Sequence, residues 1–184
     1  MNRRNLIVAA AVGSVVVGIG AMVGLASHFG VLRDDDDDDD DDGQEALIRV
    51  MRFTKVSLGQ GLAAGEQEGQ PIAGRFEVDK GKFQLSVHTA KDGKFSQVLV
   101  DLASGKVAKV EPVTKSDDLV TAELQSAAMA GAKISLKEAV DRAIGEAPGA
   151  RVIGVIPNLK EGRPVASVVF LKGERFTIVQ QPLD

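Results

Sequence analysis

Proton-transfer chemistry at neutral pH rests most often on histidine. The 184-residue chain has two, and one of them, His88, stands among polar neighbours. By alternation His88 shares a strand face with Gln84 and Ser86, opposite Phe83, Leu85 and Val87. A nucleophilic triad needs a serine within hydrogen-bond reach of the histidine and a carboxylate behind it. The sequence has no nucleophile elbow or other strained serine turn, so His88 is expected to face solvent. Glu66 and Glu68, two apart, point to different helix faces, and Asp117-Asp118 reads as a helix cap, so paired-carboxylate catalysis has no suitable geometry. Gly61 and Gly65 follow no strand and lack a Gly-Lys-Ser/Thr, which excludes a phosphate loop. With no cysteine there is no thiolate metal site, disulfide or cysteine nucleophile. The expectation is a non-enzyme with no catalytic, cofactor or metal residue.

Recognition is left as the chemistry to look for. Lys91, Lys94, Lys106 and Lys109 group around hairpin ends, read either as solvated turns or as a patch for a partner or lipid headgroups. The strands Val165 to Leu171 and Arg175 to Val179 are strongly apolar. If the last of these lies at a sheet edge, its unpaired backbone suits strand addition by a partner; Pro182, Glu174 and Arg175 equally suit protection of that edge.

Charge limits the partners. The net charge of -4 is concentrated in one block, the nine aspartates Asp34 to Asp42. Without them 22 Lys and Arg face 17 Asp and Glu; from Gly43 onward 19 face 17. A nearly neutral domain lacks the basic field that nucleic-acid binding requires.

The elements that would present such a surface begin with an apolar run. Arg3 and Arg4 precede Leu6 to Ala26, 21 residues without a charge. As a helix the run measures about 31 Å, near the ~30 Å hydrocarbon thickness. It reads as an uncleaved anchor or, since Gly24-Leu25-Ala26 fits a small-x-small cleavage site, as a removed signal. Either way the positive end stays in the cytoplasm and the rest lies outside, at the bacterial inner membrane or secreted beyond it. Residues 1–32 are assigned to this anchor or signal, with membrane contact through 6–26. Gly20-x-x-x-Gly24 and Ala9-x-x-x-Gly13 suit close helix approach. Residues 33–54 are an acidic spacer and lead-in, expected to be extended and disordered because nine like charges repel, with at most a weak attraction for cations.

Beyond the spacer the chain compares with itself. Val56-Ser57-Leu58 recurs as Ile134-Ser135-Leu136, 78 residues on. Each serine sits at a helix N-cap; Glu138 completes a capping box in the second copy, and Leu136, Ala139, Val140, Ala143 and Ile144 make its apolar face. The first helix carries Gly59, Gly61 and Gly65, each costing about 1 kcal/mol of helix propensity. After each helix the period changes to 2. Strands are expected over Arg75 to Asp79, Phe83 to His88, Phe95 to Leu102 and Lys106 to Val113, then over Arg151 to Ile156, Pro164 to Leu171 and Arg175 to Gln181. Turn signals are Lys91-Asp92-Gly93-Lys94, Ser104-Gly105, Lys160-Glu161-Gly162-Arg163 and Lys172-Gly173-Glu174. Between the copies, Asp117-Asp118 caps a helix with apolar positions Leu119, Leu124 and Met129, closed by Gly131. The expected fold class is α+β, two helix-plus-antiparallel-meander units behind a single transmembrane helix: 55–113, a connecting helix 114–132, and 133–184.

Ile134-Ser135-Leu136-Lys137-Glu138-Ala139, and the closing stretch Asp101-Leu102-Ala103-Ser104-Gly105-Lys106-Val107, resemble the PepSY domain family. The resemblance covers roughly Lys55 to Val113 and Lys133 to Pro182. Two departures, the glycine-rich first helix and the missing closing motif of the second copy, favour one fused module. The resemblance implies a non-catalytic, extracytoplasmic domain of the kind found in peptidase propeptides and membrane-anchored proteins. It carries no catalytic or ligand residue onto this chain. The expected function is a membrane-anchored binding module that regulates a peptidase or another envelope protein. The rival is a structural or assembly subunit of a larger membrane complex.

Overall fold

The computed structural model describes residues 39–79 and 81–184. They form helices α1 (Asp39–Met51), α2 (Leu58–Gly65), α3 (Ser116–Ala130) and α4 (Leu136–Glu146). The strands are β1 (Gln70–Asp79), β2 (Lys82–Lys91), β3 (Lys94–Val100), β4 (Val107–Pro112), β5 (Arg151–Lys160), β6 (Arg163–Lys172) and β7 (Arg175–Pro182).

The expected fold class, two helix-plus-meander units behind a transmembrane helix, is corrected. All seven strands form one antiparallel sheet, ordered β4-β3-β2-β1-β5-β6-β7, and one core cluster draws residues from all four helices. Two separate meanders would each leave an inner edge, β1 and β5, with open backbone groups. Here the two strands pair instead, Gly74 with Val155 and Arg75 with Gly154. The seam is short because of Pro157. The Glu161-Gly162 turn fixes which residues of β5 bond to β6, leaving Pro157 as the next position on the β1 side, and proline has no N–H to give. Among the described residues no helix is long and apolar enough to cross a membrane; the expected span Leu6 to Ala26 lies outside them.

The tight turns follow their glycines. Asp92-Gly93 and Glu161-Gly162 have positive φ at both positions, 51° and 72°, then 52° and 78°, which matches the right-handed twist of the flanking strands. Gly173, φ 65°, opens the last turn.

Helices α2 and α4 cover one face of the sheet and α3 lies across the other. Ser57 caps α2 with a full capping box, its hydroxyl accepting from Gln60 N at 3.2 Å while Gln60 Oε1 accepts from Ser57 N at 2.8 Å. The glycines of α2 are there for the sheet: a Cβ on Gly61 would sit 2.5 Å from Leu85 Cδ2, and one on Gly65 would sit 2.6 Å from Val87 Cγ1. In β1, a Cβ on Gly74 would sit 3.0 Å from Leu62 Cδ2. β1 begins five residues before the expected Arg75, at Gln70, and runs through Pro71 and Gly74.

Three further expectations are revised. The lead-in is helical over Asp39–Met51: Leu47 and Met51, one turn apart, are buried, and the Arg151 guanidinium donates to the carbonyls of Met51 and Thr54. Ser135 caps α4, but Glu138 does not reach back; it accepts from Arg142 one turn on at 2.7 Å, and Ile144 is 47% exposed. Helix α3 buries Ala122, Gln125, Ala128 and Met129 and leaves Leu124 67% exposed. Its N-cap is Lys115, without a side-chain bond, and Asp117 and Asp118 occupy the first turn.

Candidate docking site

The face beneath α3 carries His88, with Gln84 and Ser86 that share its strand face. Alternation puts Arg75 and Glu77 of β1 on that face with Ser86 and His88 of β2. Glu77 is ion-paired with Arg75 Nε at 2.5 Å and accepts from Gln84 Nε2 at 3.0 Å and Ser86 Oγ at 2.8 Å. Burial pushes the Glu77 carboxyl upward, but the Arg75 charge and these hydrogen bonds outweigh it and hold it below its ordinary value. Because the Ser86 hydroxyl donates to Glu77, it is not presented to His88 as a nucleophile.

His88 is half-buried rather than solvent-facing. It lines a cavity of about 10 Å³ with Arg75, Ser86, Ile156 and Gln125, whose Oε1 has no hydrogen-bond partner among the described residues. That volume is about what one water molecule needs. The Arg75–Glu77–Gln84–Ser86 network was legible only through register: the short β1–β2 turn sets Glu77 opposite Gln84 and Arg75 opposite Ser86.

The other sequence candidates are structural. Glu66 is exposed at the C-cap of α2, with Glu68 two residues beyond it. Asp101 Oδ1 accepts from Ser104 N at 2.7 Å and Ser104 Oγ at 2.6 Å, and Asp101 N bonds to Lys106 O at 2.8 Å. These bonds from Ser104 lower the Asp101 carboxyl pKa. With Gly105 at φ 71°, the stretch Asp101 to Val107 is a turn-builder between β3 and β4. The four lysines do not form one patch. Lys91 and Lys94 flank the β2–β3 turn, Lys106 lies at the other end of β3, and Lys109 is tied to Glu111 at 2.7 Å. Among the described residues no group of three or more His, Cys, Asp or Glu is placed to hold a metal ion. Of the aspartate run, Asp39 to Asp42 begin α1, and Asp34 to Asp38 lie outside the described residues.

The two sheet edges differ. Strand β4 is short, follows a register shift at Leu99/Val100, and carries Lys109, Glu111 and Pro112; a bulge, charges and proline all discourage strand addition. Strand β7 has none of these between Phe176 and Gln181, six uncharged residues. Glu174, in the turn before it, is held by Arg52 at 3.3 Å. Leu183 N bonds to Pro164 O at 2.9 Å, and Lys172 pairs with Arg175 across a two-residue turn, so the odd-numbered residues of β7 direct their backbone groups to β6. The even positions Phe176, Ile178 and Gln180 therefore direct theirs outward. Pro182, the next outward position, has no N–H, which fits proline's confinement to edges. Among the described residues β7 is thus an open edge three outward residues long, stopped at both ends.

No family model matches the chain, and comparison with characterised proteins and with solved structures returns no significant match.

Proposed function

We propose that the chain is a membrane-anchored, extracytoplasmic, non-catalytic protein-binding module of PepSY type, which regulates a peptidase or another envelope protein. Protein contact runs through strand addition at β7. The observation that carries this reading is the contrast between the edges, with β4 guarded and β7 bare over Phe176 to Gln181. Backbone hydrogen bonds along such an edge supply affinity, and alternate side chains supply selectivity. The resemblance to PepSY domains supports the partner class, and the apolar run at 6–26, with Arg3 and Arg4 before it, supports the anchor.

The test is capture from detergent-solubilised membranes with the full chain as bait, beside the variant Ile178→Pro. Removing the outward N–H at that position should abolish capture while leaving the β6–β7 pairing intact. Equal capture by both chains, or no effect of deleting the protein on any envelope peptidase, counts against the reading. A second reading, an assembly subunit of a larger membrane complex, is favoured by Val120 and Leu124, 57% and 67% exposed on α3. Co-migration with a large complex on native gels, lost on Leu124→Lys but not on Ile178→Pro, would select it.

A further inference from the structure

We infer that the strand β7 accepts is the β7 of a second copy of this chain, joining two sheets across a two-fold axis at Ile178. The inference rests on the reading of β7 as the strand-addition edge and puts a second copy of the chain there; a peptidase or other envelope protein competes with that copy for the same strand.

Antiparallel pairing about Ile178 places that residue opposite its own symmetry mate and Phe176 opposite Gln180 of the second copy. Every outward N–H then finds a carbonyl. Pairing ends where Pro182 meets Glu174 of the second copy, the point at which each strand stops offering a ladder group. On the face that α3 crosses, the Ile178 side chains meet each other. On the α4 face, Thr177 meets Val179 of the second copy, so aliphatic and β-branched side chains oppose along the middle of the seam.

The charges at the ends fit the same axis. Arg175 is exposed at the start of β7 and comes opposite Gln181 of the second copy. Gln181 Nε2 already donates to Glu146 Oε1 of its own α4 at 2.7 Å, and Glu146 is exposed. Each Arg175 is therefore brought to a carboxylate of the other copy, and symmetry forms the pair twice. A parallel pairing would instead set Arg175 against Arg175. An isologous contact of this kind closes on itself, uses up both bare edges, and leaves only the guarded β4 strands outside, so it yields a dimer rather than a fibre.

The chain has no cysteine, so a single introduced one reports on its own position. Residues facing each other across an antiparallel ladder lie within disulfide range, Cα to Cα about 5.5 Å. The full chain carrying Ile178→Cys, mildly oxidised in membranes, is expected to run as a covalent dimer. Val110→Cys on the outer strand β4 is expected to form no cross-link. Arg175→Glu should weaken association about tenfold, and adding Glu146→Arg should restore it; native mass spectrometry or sedimentation of the detergent-solubilised chain reads both. A monomeric wild-type chain with no Ile178→Cys cross-link overturns the inference. If that same chain captures a different envelope protein and loses it on Ile178→Pro, the strand-addition reading stands without the dimer. If Ile178→Pro changes neither, both fall.

Discussion

Gly61 shows how one residue's meaning changes between chain and fold. Counted as a helix residue it is a defect of about 1 kcal/mol, yet it lets α2 lie against Leu85, whose Cδ2 would be 2.5 Å from any added Cβ. Gly61→Ala should therefore destabilise by about 1–3 kcal/mol through overpacking. Gly59→Ala, with nothing closer than 3.9 Å, should stabilise by up to about 1 kcal/mol. Urea unfolding of the two variants separates packing from propensity, and equal effects would refute the packing account. Glu77 is the residue-scale case for pH. Its folded pKa lies below the ordinary value, so its network contributes stability that is fully present above the unfolded pKa and is lost as pH falls through the folded one. Glu77→Gln should cost about 1–3 kcal/mol at pH 7, and the gap to wild type should close on acidification. A constant gap from pH 7 down to pH 3 would show that the carboxylate charge is not what the network uses. Neither residue's role could be read from the sequence, because both depend on which strand position lies opposite.

Among the elements, hairpins were the most legible. Asp92-Gly93 and Glu161-Gly162 announced turns that only glycine-rich pairs make easily, and period-2 alternation placed the strands beside them. Helix α3 was legible in extent but not in orientation. Two of its large apolar residues, Val120 and Leu124, face outward, while Ala122, Gln125, Ala128 and Met129 are buried. The periodicity rule assumes that large apolar residues mark the buried side; Met129 obeys it, and Val120 and Leu124 depart from it where small residues let the helix sit closely on a polar sheet face. Strand β7 gives the sharpest element-scale prediction because its two sets of N–H groups do different things. Thr177→Pro removes a donor bonded to β6 and should lower stability by about 3 kcal/mol or more. Ile178→Pro removes an outward donor and should cost much less while abolishing association. Thermal unfolding and hydrogen exchange of β6 distinguish them, and identical losses would show that the outward assignment of Phe176, Ile178 and Gln180 is wrong.

At the scale of the whole molecule, the self-similarity of the chain described local order and was silent about how the halves close. Repeated caps and turns specify a helix and a meander wherever they occur. The pairing of Gly74 with Val155 joins residues 81 apart in sequence, and no local pattern encodes it. That closure has an energetic consequence. Residues 133–184 alone would expose the β1-facing backbone of β5 and the apolar side of α4 that shares a core with α2. The same holds for residues 55–113 with β1. Each half would be a domain of roughly 50–60 residues, a size at which burial is already marginal, and each would have lost part of its cover. The described residues should accordingly unfold in a single transition. Far-UV circular dichroism and amide exchange of β2 and β6, on opposite sides of the seam, should report the same midpoint in urea. The isolated 133–184 fragment should lack native chemical-shift dispersion. A folded fragment, or two separated midpoints, would mean that the seam between β1 and β5 joins independent modules, and that the single core is a consequence of their docking rather than the condition of their folding.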